Sequence, residues 1–156
     1  MNPWTEALQA KSRVDKNPND AEAWANLAFA QATLGNYHSA VKSYARALYF
    51  YTDDANMAHN LGHVLDVGLD RPEEGIPWLE HALRIEPTNC DFAVSYGHAL
   101  GRCKRIEDAE RVLRLAGDGQ EAAMMRRWVA AGAPSAVSRQ SRAQRVASTA
   151  RAPWRP

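Results

Sequence analysis

The sequence predicts an all-α protein built as a solenoid of antiparallel helix pairs. Residue types return after about 34 positions, helix-capping residues stand at the head of each return, and turn formers separate the helical stretches. A period near 34 belongs to stacked helix-turn-helix units, where no unit hides its apolar face alone and each covers the next.

The first element runs from Asn2 to Asp15. Asn2 reads as an N-cap, Pro3 takes the first helical place, and Trp4, Ala7, Leu8 and Val14 fall on one side. Residues 1–20 are expected to cap the array with that side. Three copies follow, at 21–54, 55–89 and 90–118. Asp20, Asp54 and Asn89 precede them, 34 and 35 apart, and each side chain accepts from the free N–H groups of a starting helix. Leu27, Leu61 and Tyr96 return at the seventh place, and Ala28, Gly62 and Gly97 at the eighth, where a small residue lets a second helix come close. That helix answers with Ala40, Gly75 and Ala109 and, lower down, Ala47, Ala82 and Ala116, spaced 35 and 34 in both rows. The middle copy therefore holds one extra residue before Gly75, and the turn Gly68-Leu69-Asp70 is its expected place. Gly35 and Gly68 are expected to take the positive φ that ends a helix, while Pro18 and Pro87 stand where none continues. After the third copy, Glu121 to Ala131 sets Ala122, Met125, Trp128 and Val129 at helical spacing, opposite Arg126 and Arg127, with Gly132 as the stop. Residues 119–132 are the expected second cap, because an exposed last repeat needs an amphipathic lid.

These residues resemble the tetratricopeptide repeat pattern: Trp24, Leu27, Ala28, Gly35, Tyr37, Ala40, Tyr44 and Ala47, then Leu61, Gly62, Ala82 and Pro87, then Gly97, Ala109 and Ala116. The likeness covers about 100 residues, Ala21 to roughly Asp118. Departures are Thr52 where the family usually has Pro, Gly75 where it usually has Ala, and Ala58 and Ala93 in the place of Trp24; none puts a charge in a contact row. The resemblance implies a right-handed superhelix whose first helices line a concave groove for an extended or helical peptide. It maps the groove onto Glu22, Ala25, Asn26, Phe29 and Thr33, then Asn56, His59, Asn60, His63 and Asp66, then Asp91, Val94, Ser95, His98 and Arg102. Asn26, Phe29, Asn56, His59, Asn60, His63, Asp66, His98 and Arg102 are the expected partner-binding residues. Family members that clamp acidic chaperone C-termini carry Lys and Asn at the fifth and ninth places of their first copy. This chain has Ala25 and Phe29 there, so that role is not expected.

No catalytic constellation stands out. Ser39, Ser43 and Ser95 have no base at a defined spacing, the glycines mark repeat positions rather than a phosphate loop, and Glu73 and Glu74 follow Pro72 in a first helical turn, where acids favour the helix dipole. His59 and His63 share a helix face, Asp66 lies a turn below, and His98 repeats the place of His63. The Glu that a zinc hydrolase helix carries after its first His is missing, so no metal, cofactor or catalytic role is expected. Tyr49-Phe50-Tyr51 reads mainly as the apolar end of a second helix, with a binding patch as the lesser reading. Cys90 and Cys103 fall at opposite ends of one helix, roughly 20 Å apart at ~1.5 Å per residue, beyond disulfide reach.

Residues 133–156 change character, with five Arg, three Pro and no acid. The preceding 132 residues hold 14 basic against 18 acidic side chains, a net −4 set against +5 in the tail. Arg139, Arg142, Arg145, Arg151 and Arg155 suit an acidic protein surface, nucleic acid or anionic lipid, or serve only solubility. No run of 18 apolar residues occurs, and MNPWTEALQAKSRV lacks the apolar core of a signal peptide, so a soluble cytoplasmic protein is expected. The function expected is a non-catalytic adaptor or assembly factor that holds a segment of another protein in its groove. The alternatives are a tail-driven binder of nucleic acid or membrane and a small secretion-type chaperone; self-association is left open.

Overall fold

The computed structural model describes residues 2–134, so the arginines expected to form a basic tail, Arg139, Arg142, Arg145, Arg151 and Arg155, lie outside the described residues. The described chain forms eight α-helices: α1 (Pro3–Lys16), α2 (Ala21–Thr33), α3 (Tyr37–Phe50), α4 (Ala55–His63), α5 (Pro72–Ile85), α6 (Cys90–Arg102), α7 (Ile106–Leu113) and α8 (Gln120–Ala130). A π-helical turn, Val64–Gly68, continues α4, and no strand occurs among the described residues. Each helix packs on the next, and α6 touches α4 and α8 as well, which makes the chain an all-helical solenoid.

The starts of the helices follow the capping logic. Asn2 accepts from the Trp4 N–H at 2.9 Å, Asp20 from Ala23 at 2.9 Å, Asp54 from Met57 at 2.8 Å and Asn89 from Phe92 at 3.3 Å. The second helices α3, α5 and α7 begin without a side-chain cap, directly out of the turn. The small residues at the pair contacts are needed sterically. A Cβ on Gly62 would lie 2.6 Å from Leu79 Cγ and 2.9 Å from the Gly75 carbonyl, and one on Gly75 would lie 2.6 Å from the Gly62 carbonyl. Gly97 meets Leu113 in the same way. Through these contacts one apolar core runs from Tyr44 by Leu61, Leu79, Leu100 and Leu113 to Val129, while Ala10, Val14, Ala23 and Leu27 form a smaller one between α1 and α2.

Two local expectations need correction. The extra residue of the middle copy sits inside the helix, not in the turn Gly68-Leu69-Asp70. The left-handed residues that close the first helices are Gly35 (φ 77°), Asp70 (φ 57°) and Lys104 (φ 60°), so the insertion precedes Asp70 and the wider π turn absorbs it. There the Leu69 N–H reaches the Val64 carbonyl at 3.0 Å and the Arg71 N–H reaches that of Leu65 at 2.8 Å. Gly68 is not a positive-φ position; the Tyr37 ring lies 2.8 Å from where its Cβ would be, so the missing side chain serves close approach. The second correction concerns α1. Ala10 and Val14 are buried, but Trp4 and Leu8 are 67% and 71% exposed, because the helix turns its Ala-rich stripe rather than its bulky one toward α2.

Candidate functional site: the face of the first helices

The first helices α2, α4 and α6, together with α8, bring the expected groove residues into two different environments. One set, His59, Asn60, Asp66, His98 and Arg102, is tied into internal contacts. His59 Nε2 and the Ser95 hydroxyl are 2.9 Å apart, and the His59 ring stacks on Phe92 at 4.7 Å and on His63 at 5.9 Å. Burial pushes the His59 imidazole below its ordinary pKa and the neighbouring His63 adds to this, against the opposing pull of Asn60 and Asp91. Asn60 is half-buried and bonds the hydroxyl of Tyr44, whose pKa is raised by burial to about 12.

Asp66 was expected to face the groove. It is instead only 1% exposed, because the π turn sets its carboxylate inward against α6. A buried carboxylate requires hydrogen-bond donors and an opposite charge, and α6 supplies them: His98 Nδ1 donates to one oxygen at 2.6 Å and the Arg102 guanidinium, through Nη1, to the other at 2.7 Å. Arg102 also bonds the Asp66 carbonyl and the Asp70 carboxylate. Burial alone would lower the Arg102 pKa, but Asp70 and Asp66 outweigh it and raise it. The far face of His98 stacks on Trp128 of α8 at 5.3 Å, and the Trp128 Nε1–H donates to the Pro134 carbonyl at 3.2 Å. These contacts form a staple that links the π turn after α4 to α6 and α8.

The other environment is open. Phe29 on α2 is 57% exposed, Asn26, Asn56 and His63 are exposed, and no side-chain hydrogen bond holds any of these four among the described residues. Nine positions that one sequence pattern treats alike are therefore divided into four exposed side chains, four half-buried ones and one buried carboxylate. Sequence reasoning missed Val67, 53% exposed in the π turn, and the stacking of Trp128 on His98. The first had a signal, since an extra residue before Asp70 must turn some side chain outward. The second had none in local periodicity. Among the described residues no group of three His, Cys, Asp or Glu is placed to hold a metal ion.

Two tetratricopeptide repeat family models match the chain, at residues 14–42 and 55–89. These stretches of the chain are tetratricopeptide repeats. Among solved structures it is similar to a MamA protein, with a TM-score of 0.68 and 20% identity over 85% of this chain and 69% of that one. It is also similar to MamA 41-end from Desulfovibrio magneticus RS-1, with a TM-score of 0.71 and 19% identity over 83% and 81%. A third likeness is to an O-GlcNAc transferase mutant from Thermobaculum terrenum, with a TM-score of 0.65 and 25% identity over 73% of this chain but 22% of that one. At these identities the two MamA likenesses show the fold alone, and the transferase match covers only that enzyme's repeats. No curated protein matches the sequence. Tetratricopeptide arrays generally bind other proteins, and the fold is typically a non-catalytic scaffold, which supports a protein-interaction scaffold role for this chain. No described helix is long and apolar enough to cross a membrane.

Proposed function

We propose that the protein is an adaptor or assembly factor that holds a segment of a partner protein against the open half of its groove. Asn26, Phe29, Asn56 and His63 are the reading residues, and the linked set Asp66, His98 and Arg102 fixes the wall beside them. The observation that carries this reading is Phe29, a large aromatic exposed on a first helix one turn from Asn26, an exposed carboxamide that no described residue bonds. Such a side chain stabilises a complex by burying its ring, while the carboxamide pairs with an extended backbone. His59 and Asn60 act beneath the surface, the first locking α4 to α6 and the second fastening α4 to Tyr44.

The test is site-specific photo-crosslinking from position 29, with exposed position 110 on α7 as control, followed by identification of the captured protein and titration of the purified pair. Phe29→Ala with Asn26→Ala should weaken that pair at least about tenfold, the usual scale for loss of an aromatic anchor, and leave thermal unfolding within a few degrees. Because the tail carries five Arg, the same titration is repeated at rising salt. Affinity that collapses with ionic strength and ignores the groove variants assigns binding to the tail instead.

A further inference from the structure

On the convex side, an open cleft of about 530 Å³ lies between the second helices of the first two repeats. Ala45, Leu48 and Tyr49 of α3 form one wall with Thr52 beyond it, and Pro77, Trp78, His81 and Arg84 of α5 form the other. Tyr49 is 73% exposed, so its ring presents that wall of the cleft to solvent. Arg46 lies over the Tyr49 and Phe50 rings, 5.4 and 4.8 Å from their centroids. Across the cleft an Arg84 N–H donates to His81 Nδ1 at 2.7 Å. Arginine only donates, so His81 keeps its proton on Nε2 and gives it to the Thr52 carbonyl at 3.1 Å. This chain of bonds steadies Arg84 at the rim, with its other N–H groups unpartnered among the described residues.

We propose that this cleft is a second protein-binding site, which takes an aromatic side chain of a partner segment whose neighbouring residues are acidic. The walls are two aromatic rings and a proline, which suits a flat apolar group, and the volume suits one large side chain rather than a helix. The charges choose the flanking residues. Arg84 is the charged residue of the lining, and Arg46 stands beside it on Tyr49, so carboxylates are attracted and basic segments repelled. The arginine-bearing stretch 139–155 of this chain has the wrong sign to fill it. The site faces away from the first helices, so it and the groove are occupied independently.

The probe is a fluorescein-labelled Glu-Asp-Phe-Glu-Asp peptide titrated into the full chain by anisotropy, beside Lys-Arg-Phe-Lys-Arg and an oligo-dT of similar length. Saturable binding of the acidic peptide alone is expected. It should weaken about tenfold in Tyr49→Ser and again in Arg84→Gln, and stay within about twofold in Phe29→Ala. Both cleft side chains are exposed, and circular dichroism should show each variant folded. Absence of saturable binding, equal binding of the basic peptide, preference for oligo-dT, or unchanged affinity in both cleft variants overturns the proposal.

Discussion

Asp66→Asn tests how much of the architecture depends on one buried carboxylate. Asn keeps the shape and one acceptor but sets an N–H donor against either His98 or Arg102, so the change removes the charge and one of the two contacts. The wild-type group is 1% exposed and holds two charge-assisted contacts, at 2.6 Å to His98 and 2.7 Å to Arg102. Breaking a fully buried ion pair costs about 3–5 kcal/mol. Here the partners keep 28% and 26% of their side-chain surface, so water recovers part of that, and about 2–3 kcal/mol is the expected loss. For a domain between the usual small and large size classes, this lowers Tm by roughly 6–15 °C. Denaturant titration and thermal melting followed by far-UV circular dichroism measure it. Lys11→Ala is the control: it removes an exposed pair with Asp15 and should move stability by no more than about 0.5 kcal/mol. An Asp66→Asn protein as stable as the control would refute the reasoning and make the staple an incidental contact.

Gly62→Ala should cost about 1–3 kcal/mol by overpacking, since its Cβ would meet Leu79 at 2.6 Å and the Gly75 backbone at 2.9 Å; Gly119→Ala, which meets nothing within 4 Å, should melt close to wild type. His59 is held below its ordinary pKa by burial, so the unfolded chain takes up its proton first as pH falls. Its contribution should be intact above about pH 6.5 and decline below it, and the difference in Tm between wild type and His59→Gln should shrink from pH 7.5 to 5.5; a constant difference would contradict this. Burial and then Glu73 push the Cys103 thiol up to about 11, whereas Cys90 is exposed. A thiol reagent at neutral pH should therefore label Cys90 first and Cys103 slowly, as peptide mapping would show.

The repeat was legible because its causes are local. Capping by Asp20, Asp54 and Asn89 and the close approach at Gly62 and Gly75 depend on residue type and spacing, both present in the string of letters. The spacing also showed that one residue was extra, but a count cannot say whether a loop or a wider helical turn takes it up, and Gly68 was misleading because glycine serves close approach as readily as positive φ. The burial of Asp66 was not legible. Its partners stand 32 and 36 positions away, and only the angle of the π turn decides that the carboxylate meets them. Trp4 and Leu8 failed differently: hydrophobic patterning favours bulk, whereas the α1–α2 contact selected Ala10 beside Ala23. Four of the nine candidate groove residues, His59, Asn60, His98 and Arg102, are partly spent on internal bonds that no single-helix pattern encodes.

The π turn also limits modularity. Repeat units are often interchangeable, because each meets its neighbours through similar small and apolar rows. The middle unit of this chain is not: it carries a carboxylate inward, and the donors that satisfy it, His98 and Arg102, belong to the following unit, the first of them stacked in turn on Trp128 of α8. Moved elsewhere in an array, it would bring an uncompensated charge into an apolar seam. Units two and three and the closing helix must therefore be duplicated, deleted or grafted together.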